Sequence, residues 1–535
     1  MKHRILPLVL LPALMLSLLS GCGEQTASSL RVAIGPAEEM LDPAYTTAGS
    51  NSTVLLHLYD NLMRLETDGN GATKLVSGAA VSYDMSDNYD GTVSYRFTIS
   101  PEATWTDGKA VTAEDFVFAW QRLISAETAS PHASLLSMVS GYEEALAEND
   151  PSLLAVTAEE SGKLLVTLSW HCPYFLRSIC TSAATVPLRE DILAKYGEHW
   201  ASESAAIVSN GAYALESWDI NEGIVITRRE NVTEKGPATI SFVPAADADE
   251  ADGLFSGGAV DFAAPLNETA YLRAAAAADF APTPLASAAT LYFGSGGKCA
   301  DETLRRALFL ATDYSSLAEL YASSPSTPAA GFVPGGILTA EGKSFREESG
   351  SKTDVTNENY RFRLKTAEEL LASMDQAPGT VRLLYPAQSA EFHRLAECVA
   401  ATWRSMLGLS VELLPLESGA LTELLTQGSF DCALIRTDSD VADAMSFLDW
   451  FGGTDGSGTA RVSDSFTMLI SITKNALDAK ARDSYLRAAE DALLADSAAV
   501  PLVDYATAYE KSGSIHNVAS DGLGNWLFHG LSFDR

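Results

Sequence analysis

The chain has 535 residues, of which 36 are basic and 70 acidic, so its formal net charge is −34 at pH 7. That much negative charge repels nucleic acid and anionic lipid, and we exclude both as partners of the folded body. Hydrophobic residues make up 47% of the chain. A chain of this length exceeds a single core, so two to four domains are expected.

The first residues have the form of a bacterial export signal. Two basic residues precede an apolar stretch, 5–19, which is interrupted by prolines and is shorter than the roughly 20 residues of a membrane span. The stretch ends in Leu19-Ser20-Gly21-Cys22, the pattern of a lipobox. We predict that residues 1–21 are a signal peptide, that Cys22 receives a diacylglycerol and that 22–28 are a lipidated linker. The alternative is a plain signal peptide with a chance cysteine.

The remaining cysteines are odd in number and scattered, and no Cys-x-x-Cys pair exists: Cys172, Cys180, Cys299, Cys398 and Cys432. This spacing is not that of a disulfide framework or a metal site. We predict buried free thiols with at most one disulfide, no metal and no cofactor.

The first predicted elements are a strand at 29–34 and a helix at 52–65, where apolar residues recur at helical spacing. A strictly alternating strand follows at Val93–Ile99. Thr112 and Asp115 then form a capping box that opens a helix.

Further predicted strands and helices alternate along the chain, most regularly after residue 290. The strands are 164–168, 207–213 (as strand, turn, strand), 224–227, 381–385, 411–414, 430–435 and an edge strand at 500–503; the helices are 303–311, 389–406, 421–427 and 483–495. This order indicates α/β domains with largely parallel sheets.

No catalytic motif is present in the sequence. Gly294-Ser-Gly-Gly-Lys298 only superficially resembles a phosphate loop, because Tyr292 and Cys299 stand where that loop needs a glycine and a hydroxyl residue. There is no Gly-x-Ser-x-Gly elbow and no His-Glu-x-x-His pair. We predict that the chain is not an enzyme.

Several segments resemble the family 5 extracellular solute-binding proteins, which are the oligopeptide- and dipeptide-binding proteins of ABC importers. The strongest match is 103–123, with the sequence ATWTDGKAVTAEDFVFAWQRL, and it continues to Thr128-Ala-Ser-Pro131. Weaker matches follow in family order, among them Tyr59-Asp-Asn-Leu62, Ile207-Val-Ser-Asn-Gly-Ala-Tyr213 and Ser446-Phe-Leu448. The ordered set spans about residues 29 to 503.

The resemblance implies a two-lobed periplasmic-binding-protein-like α/β fold (type II, cluster C) with an extra inserted domain. Lobe I would comprise 29–66, 190–288 and 507–535. The inserted domain would be 67–189, and lobe II would be 289–506. The lobes would close on the guest by a hinge.

The resemblance also implies a binding site. Alignment on Ser446-Phe-Leu448 places Asp440 where the family has the aspartate that pairs with a peptide's ammonium group, with Asp438 and Asp443 as substitutes. In some family members a basic residue pairs with the peptide carboxylate, and the aligned position here falls near Leu434. Arg436 or His393 would take that role instead. The family's aromatic frame around the aspartate is missing here.

The implied function is that of a lipid-anchored, monomeric substrate-binding protein on the outer face of the membrane, or in a periplasm. It would capture oligopeptides and deliver them to the permease subunits of an ABC transporter. Three alternatives stay open: the same fold with another solute (an oligosaccharide or a metal chelate), a peptide-sensing lipoprotein without transport, and a secreted hydrolase.

Overall fold

A computed structural model describes residues 28–67, 73–230, 232, 236–277, 280–339, 341–451, 462–474 and 476–534. Cys22 and its flanks therefore lie outside the described residues. Helices and strands alternate along the chain, as predicted. The helices are Ser50–Leu58, Ala113–Ile124, Tyr142–Glu148, Glu190–Tyr196, Ala248–Ser256, Glu268–Ala274, Glu302–Leu310, Tyr314–Leu320, Phe345–Ser349, Tyr360–Ser373, Ala390–Leu407, Ser418–Gln427, Met445–Leu448, Asp464–Lys474 and Ala479–Ala495.

The first sheet is built from strands near both ends of the chain and from its middle. In spatial order its strands are Glu510–Lys511, Phe262–Ala263, Ser29–Ala33, Thr239–Phe242, Gly223–Arg228 and Tyr213–Asp219. Ser29–Ala33 pairs in parallel with both of its neighbours, and the outer pairs are antiparallel. The sheet is therefore mixed, and the prediction of largely parallel sheets is wrong here.

A separate antiparallel sheet forms within the segment predicted to be an inserted domain. Its strands are, in spatial order, Ala80–Asp87, Val93–Ile99, Lys163–Leu168 and Val156–Ala158. The predicted strand at Val93–Ile99 is confirmed, and its alternating side chains bury Val93, Tyr95, Phe97 and Ile99. These residues share one continuous core with Val32 and Leu58 of the first sheet and its helix. The two units therefore pack as one body.

The second sheet contains the strands Thr327–Pro328, Ala499–Thr507, Thr283–Phe293, Cys432–Asp438, Val381–Pro386 and Val411–Leu416, in that spatial order. Leu291 and Leu383 point into a core on one face, while Tyr292 and Leu384 point into a core on the other. Helices cover both faces, as an α/β layer requires. This sheet is also mixed, since Thr283–Phe293 runs antiparallel to both of its neighbours.

The chain crosses between the two sheets twice. It leaves the first sheet after Phe262–Ala263 and enters the second at Thr283, and it returns between Thr507 and Glu510. All of Thr283–Phe293 belongs to the second sheet, so the expected boundary at 288/289 divides a single strand. We propose that this boundary lies before Thr283.

Three local predictions are wrong. The helix from residue 52 ends at Leu58, because the chain turns extended at Tyr59 and Met63–Thr67 forms a hairpin with Thr73–Ser77. The predicted strand before Gly211 is absent from the described residues, and the strand begins at Tyr213. The strand predicted at 500–503 is not at the edge, because Thr327–Pro328 covers it. The last of these depends on contacts between segments distant in sequence, since Thr327–Pro328 precedes its partner strand by more than 150 residues.

Candidate ligand-binding cleft

A cleft lies between the first sheet's body and a loop of the second. It encloses about 1000 Å³ of empty space, part of which is open to solvent. Its walls come from the residues after the first strand, from the inserted segment, from the loop that follows Cys432–Asp438 and from the C-terminal segment. The polar residues of these walls include Thr46, Ser52, Asn61, Arg64, His132, Arg177, Ser178, Ser439, Asp440, Asp521, Asn525 and His529.

The loop that carries Asp440 is held in place at both ends. Ser439 donates its backbone N–H to the Ala286 carbonyl oxygen at 3.0 Å, which extends the pairing of Cys432–Asp438 with Thr283–Phe293. The Ser439 hydroxyl donates to the Val441 carbonyl oxygen at 2.6 Å. At the other end, Asp443 accepts from the backbone N–H of Met445 at 2.8 Å. Asp440 stands between these anchors, with 62% of its side chain exposed in the cleft.

Asp440 faces a histidine from the other side of the cleft. His132 Nδ1 lies 3.6 Å from Asp440 Oδ2, and His132 Nε2 lies 2.7 Å from the Thr46 carbonyl oxygen. The Asp440 carboxylate raises the pKa of His132 above its ordinary value; burial opposes this effect and the Thr46 carbonyl reinforces it. The sequence does not single out His132, although it directly follows the matched segment Thr128–Pro131, because no pattern links it to Asp440.

Asp443 does not serve as a substitute for Asp440. Its side chain is buried, and both of its carboxylate oxygens accept from the Arg482 guanidinium at 2.8 Å. The guanidinium also lies 5.8 Å from the centre of the Tyr174 ring. A buried carboxylate whose charge is already balanced by a bidentate arginine, and which also accepts from a backbone N–H, is poorly placed to bind a guest ammonium. Asp443 instead fixes the loop, and Tyr174 connects it to the inserted segment.

Arg436 and Asp438 pair with each other rather than with Asp440. Arg436 Nε donates to Asp438 Oδ1 at 2.8 Å, and the Ser287 hydroxyl donates to the same oxygen at 2.6 Å. The Arg436 guanidinium stacks 4.2 Å from the centre of the Tyr505 ring. Neither Arg436 nor Asp438 lines the cavity that contains Asp440. Both side chains are exposed along the last residues of their strand.

His393 lies near the start of the helix Ala390–Leu407, where its Nδ1 is 2.8 Å from the Tyr385 hydroxyl. In the same turn of the helix, Glu391 accepts from the hydroxyls of Tyr321 and Tyr505 at 2.7 and 2.6 Å. The Arg436 guanidinium stacks on the Tyr505 ring, and the Tyr505 hydroxyl donates to Glu391. Arg436 and the beginning of this helix therefore belong to one connected cluster. The structure thus brings Arg436 close to the helix of His393, but not into the cavity of Asp440.

The inner wall of the cleft contains buried polar groups. Ser178 Oγ and His529 Nδ1 are buried and have no hydrogen-bond partner among the described residues. Arg177 donates to the Thr73 hydroxyl at 2.6 Å, and burial lowers the pKa of its guanidinium. Burial also raises the pKa of the Asp521 carboxyl and lowers that of His529 well below its usual range. A guest that forms hydrogen bonds fits such a wall better than an apolar guest does.

In the described part of the chain, no group of three His, Cys, Asp or Glu side chains has the arrangement of a metal site. The cysteines that follow residue 28 are all free thiols, and Cys398 is the one that is not fully buried. Within the same residues, no helix is long and apolar enough to cross a bilayer.

The fold and the cleft are those of a two-lobed solute-binding protein. The profile of the bacterial extracellular solute-binding proteins, family 5, middle part, matches residues 74–459, and the chain belongs to this family. The resemblance seen in the sequence is thereby confirmed.

Known proteins resemble the chain over nearly its whole length. The periplasmic oligopeptide-binding protein OppA of Escherichia coli K12 is 29% identical over 495 residues, which cover 89% of this chain and 86% of OppA. The unliganded open form of the murein tripeptide-binding protein MppA has a TM-score of 0.77 at 22% identity, covering 94% of this chain and 95% of MppA. Haemophilus influenzae OppA in complex with the peptide RPPGFSPFR has a TM-score of 0.69 at 22% identity, covering 95% and 99%. These structures confirm the two-lobed α/β fold.

Proposed function

We propose that this chain is the lipid-anchored substrate-binding protein of an ABC importer and that it captures oligopeptides between its two lobes. The family is one of solute-binding proteins. The curated relatives that support a peptide guest include the E. coli oligopeptide-binding protein OppA and the Bacillus subtilis dipeptide-binding protein DppE, at 29% and 26% identity. Cys22 would carry the lipid and hold the protein at the outer face of the membrane, beside the permease.

The observation that carries the proposal is the exposed carboxylate of Asp440 in the cleft. Its neighbour Asp443 has a buried arginine partner, and Asp438 is paired with Arg436 and Ser287. Asp440 therefore has the freest carboxylate of the loop. The side chain that faces it, His132, is itself a potential cation. A position that already attracts a cationic group suits the ammonium end of a peptide.

The other end of the peptide would meet the cluster around Tyr505. Arg436 is held over the Tyr505 ring with 39% of its side chain exposed, so some of its guanidinium N–H groups remain accessible from the solvent. His393, on the helix that also carries Glu391, is the second candidate. An extended peptide would reach from Asp440 toward this cluster, whose members Arg436 and Tyr505 lie on strands inside the second sheet.

The proposal predicts that Asp440→Asn weakens binding of a peptide with a free amino terminus by about 2 kcal/mol or more, roughly 30-fold in Kd. The reason is that an amide cannot balance the ammonium charge. Isothermal calorimetry with trialanine and N-acetyl-trialanine measures the effect. Mass spectrometry of the guest that copurifies with the protein identifies a better probe if trialanine binds too weakly.

The matched control is Asp438→Asn, which removes an equally exposed carboxylate two residues away. We expect its effect on Kd to be less than about threefold, because the new amide side chain keeps an oxygen that can accept from Arg436 and Ser287 and so leaves the Arg436 guanidinium in place. If Asp438→Asn weakened binding and Asp440→Asn did not, the ammonium site would be at Asp438. A copurified guest without an amino group would overturn the peptide proposal.

A further inference from the structure

The contact between His132 and Asp440 joins the two sides of the cleft. His132 comes from the inserted segment, and Asp440 from the loop that follows a strand of the second sheet. Only 15% of the histidine side chain is exposed, against 62% for the aspartate. The ring is thus fixed within the wall, while the carboxylate projects into the space that a guest would occupy.

Both ring nitrogens of His132 face oxygen atoms that can only accept. Nε2 lies 2.7 Å from the Thr46 carbonyl oxygen, a hydrogen-bond distance, so this nitrogen carries a proton. Nδ1 then faces Asp440 Oδ2 at 3.6 Å, an ion-pair separation. A neutral imidazole has one N–H, so its second nitrogen would present a lone pair to a carboxylate. Protonation removes this repulsion and creates an attraction.

We propose that in the empty cleft the His132 imidazolium neutralises Asp440, and that the ammonium group of a guest replaces this charge, so that capture releases a proton. This inference rests on the proposed peptide-binding function. Two cations cannot share one carboxylate without repelling each other at contact distance. The guest therefore drives His132 toward its neutral form, which keeps its Nε2–H bond to Thr46.

The sign of the pH dependence follows from the number of protons bound. The empty protein binds one more proton at His132 than the complex does, so affinity rises with pH up to the pKa of His132 in the empty protein. Below that pKa, affinity for an ammonium guest falls by up to about tenfold per pH unit. The raised pKa of His132 in the empty cleft places this change at or above the ordinary range of histidine.

Other charged groups near the cleft do not produce the same effect. Asp440 is the charged side chain that acts on His132. Arg64 and Arg177, which line the same cavity, stay protonated at these pH values. Burial keeps His529 neutral, since its pKa lies well below the ordinary value. Burial raises the pKa of Asp521, and Asp521 is retained in the His132→Gln variant below, so any contribution of its own is common to both proteins.

The first measurement is the titration of the histidine ring in the empty, full-length protein by NMR, with histidine labelled and His132 assigned through His132→Gln. We expect a His132 pKa above the ordinary value in the unaltered protein and a lower pKa in Asp440→Asn. A His132 pKa that is the same in both proteins would overturn the inference. The NMR titration needs no guest, so it tests whether His132 and Asp440 are paired even if the protein does not bind peptides.

The second measurement is the Kd of trialanine by calorimetry from about pH 5 to about pH 7, below the pKa of the peptide's own amino group. We expect affinity to fall on acidification in the unaltered protein and to stay nearly constant in His132→Gln, whose amide can still donate to Thr46. In two buffers of different ionisation enthalpy, the unaltered protein should release up to one proton per peptide. An equal pH dependence in both proteins would overturn the inference while leaving the peptide site in place.

Failure of the underlying function has a different signature. If trialanine and N-acetyl-trialanine bound equally well and Asp440→Asn changed neither, the ammonium site itself would be wrong. The NMR titration would in that case still show whether His132 and Asp440 are paired in the empty cleft.

Discussion

Three aspartates within six residues of one loop have three different roles. Asp438 is paired with Arg436 on the strand, Asp443 is buried against Arg482, and Asp440 is exposed in the cleft. In the sequence alone, nothing distinguishes the three aspartates from one another. Arg436 lies two residues from Asp438, but Ser287, Arg482 and His132 come from segments tens to hundreds of residues away. These contacts decide which carboxylate is available to a guest.

Asp504 shows how burial of a single carboxyl changes stability with pH. Its Oδ2 accepts from the Ala330 N–H at 3.4 Å, and its Oδ1 has no hydrogen-bond partner among the described residues. Burial, together with the charge of Glu490, raises the pKa of Asp504 to about 7, against the opposing effect of Arg346. A folded-state pKa above the unfolded value means that ionisation favours unfolding. Stability is thus lost as the pH rises from about 4 to about 7.

We therefore expect Asp504→Asn to raise the Tm at about pH 8 and to leave it nearly unchanged at about pH 4, where the carboxyl is largely protonated. Differential scanning calorimetry at the two pH values measures this. Glu412→Gln, at an exposed carboxylate of the same sheet, is the control and should show no such difference. Equal shifts for Asp504→Asn at both pH values would contradict the assignment.

At the scale of elements, the helix Ala113–Ile124 begins where local chemistry predicts. Asp115 Oδ2 accepts from the backbone N–H of Thr112 at 2.9 Å, which completes the predicted capping box. The same oxygen accepts from Trp105 Nε1 at 3.1 Å, and Trp105 is almost fully buried. The capping carboxylate thus also satisfies a buried indole from the preceding turn, which the sequence pattern alone does not indicate.

Replacement of this carboxylate should therefore cost more than an ordinary cap. We expect Asp115→Ala to destabilise the protein by about 2 to 3 kcal/mol, since both the helix end and a buried indole N–H lose their acceptor. The exposed neighbour Glu114 provides the control, and Glu114→Ala should change stability by less than about 0.5 kcal/mol. Denaturant unfolding followed by tryptophan fluorescence measures both. Equal effects of the two changes would show that neither the cap nor the indole contact contributes.

At the scale of the whole molecule, the charge and the two chain crossings matter most. The second sheet joins the rest of the protein through the segments before Thr283 and after Thr507, an arrangement that permits a hinge. We propose that the lobes close on the guest about these crossings. The net charge of −34 gives the molecule as a whole a negative field, which should attract cationic guests during their approach.

This field predicts a salt dependence of association that differs between guests. The on-rate of trilysine should fall by about tenfold or more between about 0.02 M and about 0.5 M NaCl, because the added salt screens long-range attraction. The on-rate of trialanine, with no net charge, should change little. Stopped-flow fluorescence measures both rates. If trilysine showed no salt dependence, the acidic surface would have no part in guest capture.

Local sequence patterns by themselves determined the strand Val93–Ile99, the capped helix Ala113–Ile124 and the α/β order of the second sheet. These features depend on side-chain periodicity and on hydrogen bonds between residues close in sequence. The export signal stays a prediction, because it lies outside the described residues. The ordered family matches added the two-lobed fold, which the family profile and the solved structures confirm. The role of Asp440, chosen from one of these matches, remains a prediction.

Only the tertiary structure decided the mixed direction of the strands, the early end of the helix at Leu58 and the contact of His132 with Asp440. The two residues of this contact are more than 300 positions apart, and each belongs to a different side of the cleft. No local pattern encodes such a meeting. The contact forms because each of the two sides of the cleft packs separately and holds one of the two side chains in position. Contacts between segments distant in sequence determine where the two sides meet.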